Sequence, residues 1–136
     1  AMMELLQCDQ IEQVPKMHFI QASSVKPIAA AVRNETWNAG MISSTKAGGI
    51  AVGAPPRIIQ VIDAMRASGG YCDTVNEKEI TDWQLKLARL EGIYSEPTSA
   101  AAFAGTLKLI RSGKIRKGST VMVPITGSGL KDLSPM

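Results

Sequence analysis

The sequence is poor in cysteine, histidine and aromatic residues, and each shortage excludes a class of protein. Cys8 and Cys72 are too few and too far apart for a disulfide framework or a metal site, so we expect two buried thiols and no bound metal. His18 is the only histidine, and no triad or zinc partner lies at a defined spacing from it, which favours a structural or surface role. Because aromatic residues make up 4% and hydrophobic residues 45% of the chain, the core should be aliphatic and rich in alanine.

Long hydrophobic runs and strong charge are also missing. No apolar run approaches the roughly 20 residues of a membrane-spanning helix, and the first residues lack the pattern of a signal peptide. We therefore expect a cytoplasmic protein without a membrane partner. The net charge is only +3, and one basic cluster follows a predicted helix, where cations complement the helix dipole. A solvated helix end, not a nucleic-acid interface, is the favoured reading of that cluster, which comprises Arg111, Lys114, Arg116 and Lys117.

Alternating strand and helix patterns place the chain in the α/β class. Strands are predicted at residues 16–22, 71–75 and 119–125. Helices are predicted at residues 2–13, 25–32 and 57–68, between Asn76 and Gly92, and from Thr98 towards Gly113. The pattern predicts a single α/β domain over residues 1–136, with three layers and a largely parallel sheet.

Local signals sharpen three of these segments. Asn76 followed by Glu79 forms a capping-box pattern at the start of a helix. The helix from Thr98 is rich in alanine, which permits close packing and predicts a buried helix. Residues 34–56 contain several glycines and a Pro-Pro pair, so we expect a long irregular connection, of a length that is commonly functional.

Thr126 is the residue most informative about function. It follows the apolar run at residues 121–125 and precedes Gly127, so it would lie beyond the carboxyl end of a strand, where α/β sheets bind ligands. A capping threonine in a strand-ending turn explains the same pattern equally well.

Two short motifs point to other chemistries. Residues 23–26 match S-x-x-K, in which a lysine one helical turn away activates a serine, yet the partner motifs of penicillin-recognising enzymes are missing and chance explains a four-residue match. The glycines and lysines at residues 113–120 do not follow the order of a phosphate-binding loop.

Three further segments, in this order, are STKAGGIAVG at residues 44–53, SEPTSAA at residues 95–101 and PITGSGLK at residues 124–131. Together they resemble pyridoxal-phosphate enzymes of the tryptophan synthase β superfamily (fold type II), most closely threonine synthases. The resemblance covers nearly the whole chain and implies a partial fold-type-II domain.

The resemblance implies a cofactor-binding role for four residues. Thr126 matches the hydroxyl residue that hydrogen-bonds the pyridine nitrogen of pyridoxal phosphate, with Gly127 beside it. Glu96 matches a glutamate of the pocket wall, and Gly49 matches a glycine whose backbone faces the ring. A neutral hydroxyl holds the ring as a weaker electron sink than a carboxylate does, which suits elimination and replacement.

The family's Schiff-base lysine and glycine-rich phosphate loop lie upstream of the matched region. The resemblance therefore implies a carboxyl-terminal segment of a larger enzyme, without a catalytic residue of its own and inactive alone. An incomplete sheet exposes a strand edge, so we expect a homo-oligomer.

The implied reaction is that of a threonine synthase-like lyase, which converts the small amino acid O-phosphohomoserine to threonine and phosphate. Residues 47–49 lack the aspartate that dehydratases usually carry there. A threonine or serine dehydratase, a cysteate synthase and a non-catalytic binding module with the same fold remain alternatives.

Overall fold

The computed structural model describes residues 2–41 and 44–132. The helices are α1 (Met2–Gln7), α2 (Pro27–Arg33), α3 (Ile58–Ala67), α4 (Glu77–Glu91) and α5 (Pro97–Arg111). The strands are β1 (Phe19–Ala22) and β2 (Cys72–Val75), and short 3-10 turns lie at Ala39–Met41, Gly48–Ile50 and Gly129–Asp132. Within the described ranges, no helix has the length and apolar character needed to cross a bilayer.

The two strands pair in parallel, from Phe19 opposite Cys72 to Ala22 opposite Val75. Successive strand residues face opposite sides of a sheet, and both faces are covered here. One face packs against α2 and α3 in a cluster around Ala29, Met65, Cys72 and Phe19. The other packs against α4 and α5 in a cluster that includes Ala22, Val75, Ile80, Ala100, Ala101 and Ala104. The predicted α/β class, three layers and parallel sheet are therefore confirmed.

Helix α5 is the buried helix that its alanine content predicts. A Cβ on Gly105 would lie 2.3 Å from Ile20 Cδ1, so the helix backbone packs directly on β1. Ala100 and Ala101, nearer the start of the helix, share a cluster with the strand-ending residues Ala22 and Val75. The start of α5 therefore lies at the carboxyl end of the strand pair.

Helix α4 begins with the predicted capping box. Asn76 Oδ1 accepts the Glu79 N–H at 2.9 Å, and Glu79 Oε2 accepts the Asn76 N–H at 2.8 Å. The helix ends at Gly92, whose positive φ of 69° is readily adopted by glycine. Both ends of α4 were thus predictable from local sequence.

The amino end of the strand pair is closed by tight contacts. Tyr71 O accepts the Phe19 N–H at 3.0 Å, and the Tyr71 N–H donates to His18 Nδ1 at 3.1 Å. The His18 ring also stacks on Tyr71. Burial, followed by the charge of Lys16, lowers the pKa of His18. His18 therefore has the structural role that its isolation in the sequence predicts.

The strand predicted at residues 119–125 is not formed. Val121 and Ile125 are 37% and 42% exposed, and Met122 is 90% exposed. Among the described residues, the sheet has only two strands, so this segment pairs with neither of them. A β-branched segment becomes a strand only where a sheet edge and a buried face receive it. Thr126 consequently follows an irregular segment, not a strand.

Two predictions near the amino terminus were also wrong. The helix predicted at residues 2–13 ends at Gln7, and Asp9 adopts a positive φ of 55° just beyond it. Cys8 is exposed, contrary to the expected burial, and α1 just before it has no buried residue. Cys72 is the buried thiol that was expected, and burial raises its pKa.

Candidate functional site

Glu96, Ser99 and Thr126 form a hydrogen-bonded cluster, here called the hydroxyl network. Thr126 Oγ1 donates to Glu96 Oε1 at 2.5 Å. The Thr126 N–H donates to Ser99 Oγ at 3.0 Å, and the two hydroxyl oxygens lie 3.2 Å apart. Thr126 is exposed, whereas Ser99 is 2% exposed. The network therefore has a buried side and a side that a ligand can reach.

The local sequence explains why Glu96 and Ser99 lie together. Glu96 occupies the N-cap position of α5, and Pro97 follows as the first helical residue, where its fixed φ favours helix initiation. Residues three apart on a helix lie on the same side, which brings Ser99 beside Glu96. The start of α5 thus presents a carboxylate and a hydroxyl to the same neighbour.

Backbone contacts hold Thr126 against this helix start. The Glu96 N–H donates to Gly127 O at 3.0 Å, and Ser95 and Ser128 form an isolated antiparallel bridge. A Cβ on Gly127 would lie 2.8 Å from Glu96 Cδ and from Glu96 Oε2. Glycine at position 127 therefore leaves room for the carboxylate that binds Thr126.

Gly49 reaches the same place from the long connection between α2 and α3. It lies in the 3-10 turn Gly48–Ile50, and a Cβ there would be 2.8 Å from Thr98 Oγ1. The preceding turn is anchored because Ala47 is buried in the α5 cluster and the Lys46 N–H donates to Glu77 Oε2 at 2.9 Å.

All four residues predicted to bind the cofactor therefore meet around the start of α5. Gly49 contacts this helix start through Thr98, whereas Thr126 and Gly127 contact it through Glu96. The site lies at the carboxyl end of the strand pair, which is where open α/β sheets bind ligands. Their roles toward a cofactor remain predictions.

Ser99 is the member of the network that sequence reasoning did not assign. The signal was its spacing, since a polar residue three positions after the N-cap Glu96 shares its side of the helix. Ser95 is a second serine at this junction: it is fully buried, and its hydroxyl finds no hydrogen-bond partner among the described residues.

The arrangement fits the pyridine end of pyridoxal phosphate. A fixed hydroxyl would suit a ring nitrogen, and Gly49 is exposed backbone without a side chain, against which a flat ring would fit. A metal site needs several ligands close together, and within residues 2–41 and 44–132 no group of three or more His, Cys, Asp and Glu side chains is placed to hold a metal ion.

The Ser-x-x-Lys motif does not form a nucleophile with its base. Lys26 Nζ donates to Glu35 Oε2 at 2.6 Å, and this hydrogen bond is the main cause that lowers the pKa of Glu35. An ammonium group that is paired with a carboxylate has no free lone pair to accept a proton from Ser23. The lysine of the motif is thus part of a surface ion pair at the start of α2.

The chain is similar to known proteins over most of its length. A family model described as "Pyridoxal-phosphate dependent enzyme" matches residues 2–127. A threonine synthase from Methanocaldococcus jannaschii is 40% identical over 124 residues, which cover 90% of this chain and 31% of that protein. A threonine synthase from Halalkalibacterium halodurans is 39% identical over 119 residues, covering 88% and 32%. One from Mycobacterium tuberculosis (strain H37Rv) is 35% identical over 129 residues, covering 95% and 34%.

The chain spans about a third of the length of these curated relatives. Three layers around a parallel strand pair are consistent with a partial fold-type-II domain. The family implies pyridoxal phosphate as cofactor in the complete enzyme. The match over most of the chain shows that it belongs to the pyridoxal-phosphate-dependent enzymes.

Proposed function

We propose that this chain forms the pyridine-ring side of the active site in a threonine synthase-like enzyme. The observation that carries the proposal is the hydroxyl network, which fixes Thr126 beside the start of α5, where Gly49 also lies. The relatives that match most of the chain are themselves called threonine synthases.

Each of the four predicted residues has a distinct task in this proposal. Thr126 binds the ring nitrogen through its hydroxyl group. Gly49 lets the flat ring lie against backbone, because it is exposed and has no side chain. Glu96 holds the Thr126 hydroxyl, and Gly127 leaves the space that Glu96 occupies.

The reaction proposed for the complete enzyme is conversion of O-phosphohomoserine and water to threonine and phosphate. The bound cofactor supplies an electron sink for the elimination and replacement steps. The lysine that anchors the cofactor and the loop that binds its phosphate are supplied by sequence outside these 136 residues. The chain is then a single α/β domain without activity of its own, and it forms the carboxyl-terminal part of the fold.

A titration with pyridoxal phosphate, followed by amide chemical shifts, tests the ring site. We expect the amides of Gly49, Thr126 and Gly127 to shift together, because these residues surround the proposed position of the ring. Borohydride treatment should leave no stoichiometric lysine adduct. Shifts confined to other parts of the chain would refute the ring site.

Two results would refute the view that the chain lacks the catalytic lysine. One is a stoichiometric reducible adduct that mass spectrometry maps to Lys26 or Lys46. The other is growth without threonine of a threonine-synthase-deficient bacterial strain that expresses only these residues. Either result would identify a complete small enzyme.

We further propose that the chain acts in the cytoplasm as part of a homo-oligomer. The support for oligomerisation is the two-stranded sheet, each strand of which has one side that its partner does not cover. Light scattering at high protein concentration should give a multiple of the chain mass of 14.5 kDa. A monomeric mass under those conditions would contradict the oligomer.

A further inference from the structure

The connection between α2 and α3, residues 34–57, carries Gly49 and has little regular structure. In the part of it that the structure describes, the regular elements are two 3-10 turns, at Ala39–Met41 and Gly48–Ile50. Such a segment has no long helix or paired strand of its own to fix its backbone. The position of Gly49 therefore depends on contacts with the neighbouring elements.

Apolar contacts hold the turn Gly48–Ile50 close to α5. Ala47 is fully buried in the cluster that contains Ala100 and Ala101, and Ile50 packs against the same cluster. Hydrophobic burial is not directional, so it keeps the turn near the helix without fixing its orientation. The orientation has to be set by hydrogen bonds, and these come from α4.

Glu77 and Thr81 of α4 both contact Lys46, just before the turn. Glu77 Oε2 accepts the Lys46 N–H at 2.9 Å, and Thr81 Oγ1 accepts a hydrogen bond from Lys46 Nζ at 3.3 Å. Positions 77 and 81 are four apart, on the same side of the helix. Glu77 is also the first residue of α4, two positions after Val75 at the end of β2. It therefore lies at the same edge of the strand pair as the candidate site.

The contact of Glu77 restrains the backbone, whereas the contact of Thr81 is with the end of a flexible side chain. Backbone hydrogen bonds then connect Lys46 with the turn. Lys46 O accepts the Gly48 N–H at 2.9 Å, and Ala47 O accepts the Ile50 N–H at 3.0 Å. A continuous set of short-range hydrogen bonds thus runs from Glu77 to the turn.

We propose that Glu77 is a positioning residue, which holds the Lys46 N–H and thereby fixes the orientation of Gly49 toward the cofactor ring. This inference rests on the proposed function, in which the ring lies against Gly49. Glu77 acts here as a hydrogen-bond acceptor for a backbone amide, and an oxygen atom at that position is what the contact requires. Glutamine should therefore replace Glu77, and alanine should not.

Amide hydrogen exchange of the chain without cofactor is the first arm of the test. We expect the Lys46 amide to exchange about fivefold faster in Glu77→Ala, which corresponds to the loss of one hydrogen bond. Glu77→Gln should keep the wild-type rate. Asp82→Ala, which removes a carboxylate that pairs with Lys78 on the same helix, is the matched control and should also keep it. A wild-type rate in Glu77→Ala, or equal increases in Glu77→Ala and Glu77→Gln, would overturn the proposal.

The second arm is a titration of the same variants with pyridoxal phosphate, followed by amide chemical shifts. In Glu77→Ala the dissociation constant should rise by about threefold, because binding then has to order the turn as well. The shift of the Gly49 amide at saturation should be smaller than in the wild type, whereas that of Thr126 should be retained. Glu77→Gln and Asp82→Ala should give wild-type values. Wild-type affinity and a wild-type Gly49 shift in Glu77→Ala would overturn the proposal.

Folding of the variants is checked independently of the site. The capping box of Asn76 and Glu79 is present in all of them, so α4 should still form. Urea denaturation and the amide spectrum of α5 show whether each variant remains folded. Recovery of the Lys46 and Gly49 signals in Glu77→Gln would separate a positioning role from a general loss of stability.

The two arms separate failure of this inference from failure of the proposed function. If pyridoxal phosphate shifts Gly49 and Thr126 but binds Glu77→Ala as it binds the wild type, the positioning role is refuted and the ring site stands. If the Lys46 amide responds to Glu77→Ala but the cofactor shifts neither Gly49 nor Thr126, Glu77 does anchor the turn and the ring site is refuted.

Discussion

The two ends of the strand pair are built in different ways. At the amino end, the backbones of the segments that precede β1 and β2 lie in close contact. A Cβ on Gly70 would lie 1.8 Å from Met17 O, and the Met17 N–H donates to Ser68 Oγ at 3.0 Å. His18 completes this end by accepting the Tyr71 N–H.

At the carboxyl end, small buried side chains support exposed polar groups. Ala22 and Val75 pack on α5, and Thr126 faces solvent beside the same helix. The amino end therefore specifies the pairing of the strands, whereas the carboxyl end carries the exposed polar groups of the candidate site. Changes at the first end should alter stability, and changes at the second should alter ligand binding.

The largest effect is expected for Gly70→Ala at the amino end. The new methyl group would collide with backbone at Met17, which cannot rotate away, so we expect a loss of about 3 kcal/mol in the free energy of unfolding. Urea denaturation measures it. Gly48→Ala, where no atom lies within 4 Å, is the control and should change stability by less than about 0.5 kcal/mol. Equal losses in both variants would show that the contact with Met17 is not the cause.

The next effect is expected for Thr126→Val at the carboxyl end. Loss of the hydroxyl should weaken pyridoxal phosphate binding about tenfold, while the free energy of unfolding changes by less than about 1 kcal/mol, because Thr126 is exposed. Fluorescence titration and urea denaturation measure the two quantities. Thr126→Ser should retain binding. A large loss of stability with unchanged binding would reverse the roles assigned to the two ends.

A smaller effect is expected for Gly49→Ala. The added methyl group would lie 2.8 Å from Thr98 Oγ1, a side-chain atom that can rotate, so the cost should be about 1 kcal/mol. Because Thr98 belongs to the helix start that carries Glu96, its displacement should also reduce cofactor affinity by about threefold. Gly48→Ala is the neighbouring control. If the two variants bind equally well, Gly49 does not face the ring.

The smallest effect concerns pH at the amino end. The pKa of His18 is lowered in the folded chain, chiefly by burial, so the unfolded chain binds more protons near and below its ordinary value of 6.5. This contribution to stability is full above pH 6.5 and declines as the pH falls through and below that value. His18→Gln, compared with wild type by urea denaturation across that range, should lack this part of the decline. Parallel curves would show that His18 does not contribute.

Local signals predicted local structure. The capping box of Asn76 and Glu79 and the alanine-rich face of α5 each involve residues within one or two helical turns, and both were read correctly. The segment at residues 119–125 has β-branched residues too, but a strand depends on a distant partner that these residues do not specify.

The site shows the same division. The contact between Glu96 and Thr126 joins residues 30 positions apart, and only the resemblance to a family indicated it. Ser99 could have been found locally, from its spacing to Glu96. The contacts between Ser99 and Thr126 required the coordinates, because these residues lie 27 positions apart.

The close approach of Gly105 to Ile20 sets the distance between helix α5 and the sheet. Ser99 lies six residues before Gly105, which is about 9 Å along the helix axis. A bulkier residue at position 105 would push the helix away from the sheet. The start of α5 would then be displaced by an amount that grows with its distance from position 105. Gly105 thus affects the position of the hydroxyl network through the rigidity of helix α5, although it contacts none of the three residues of the network.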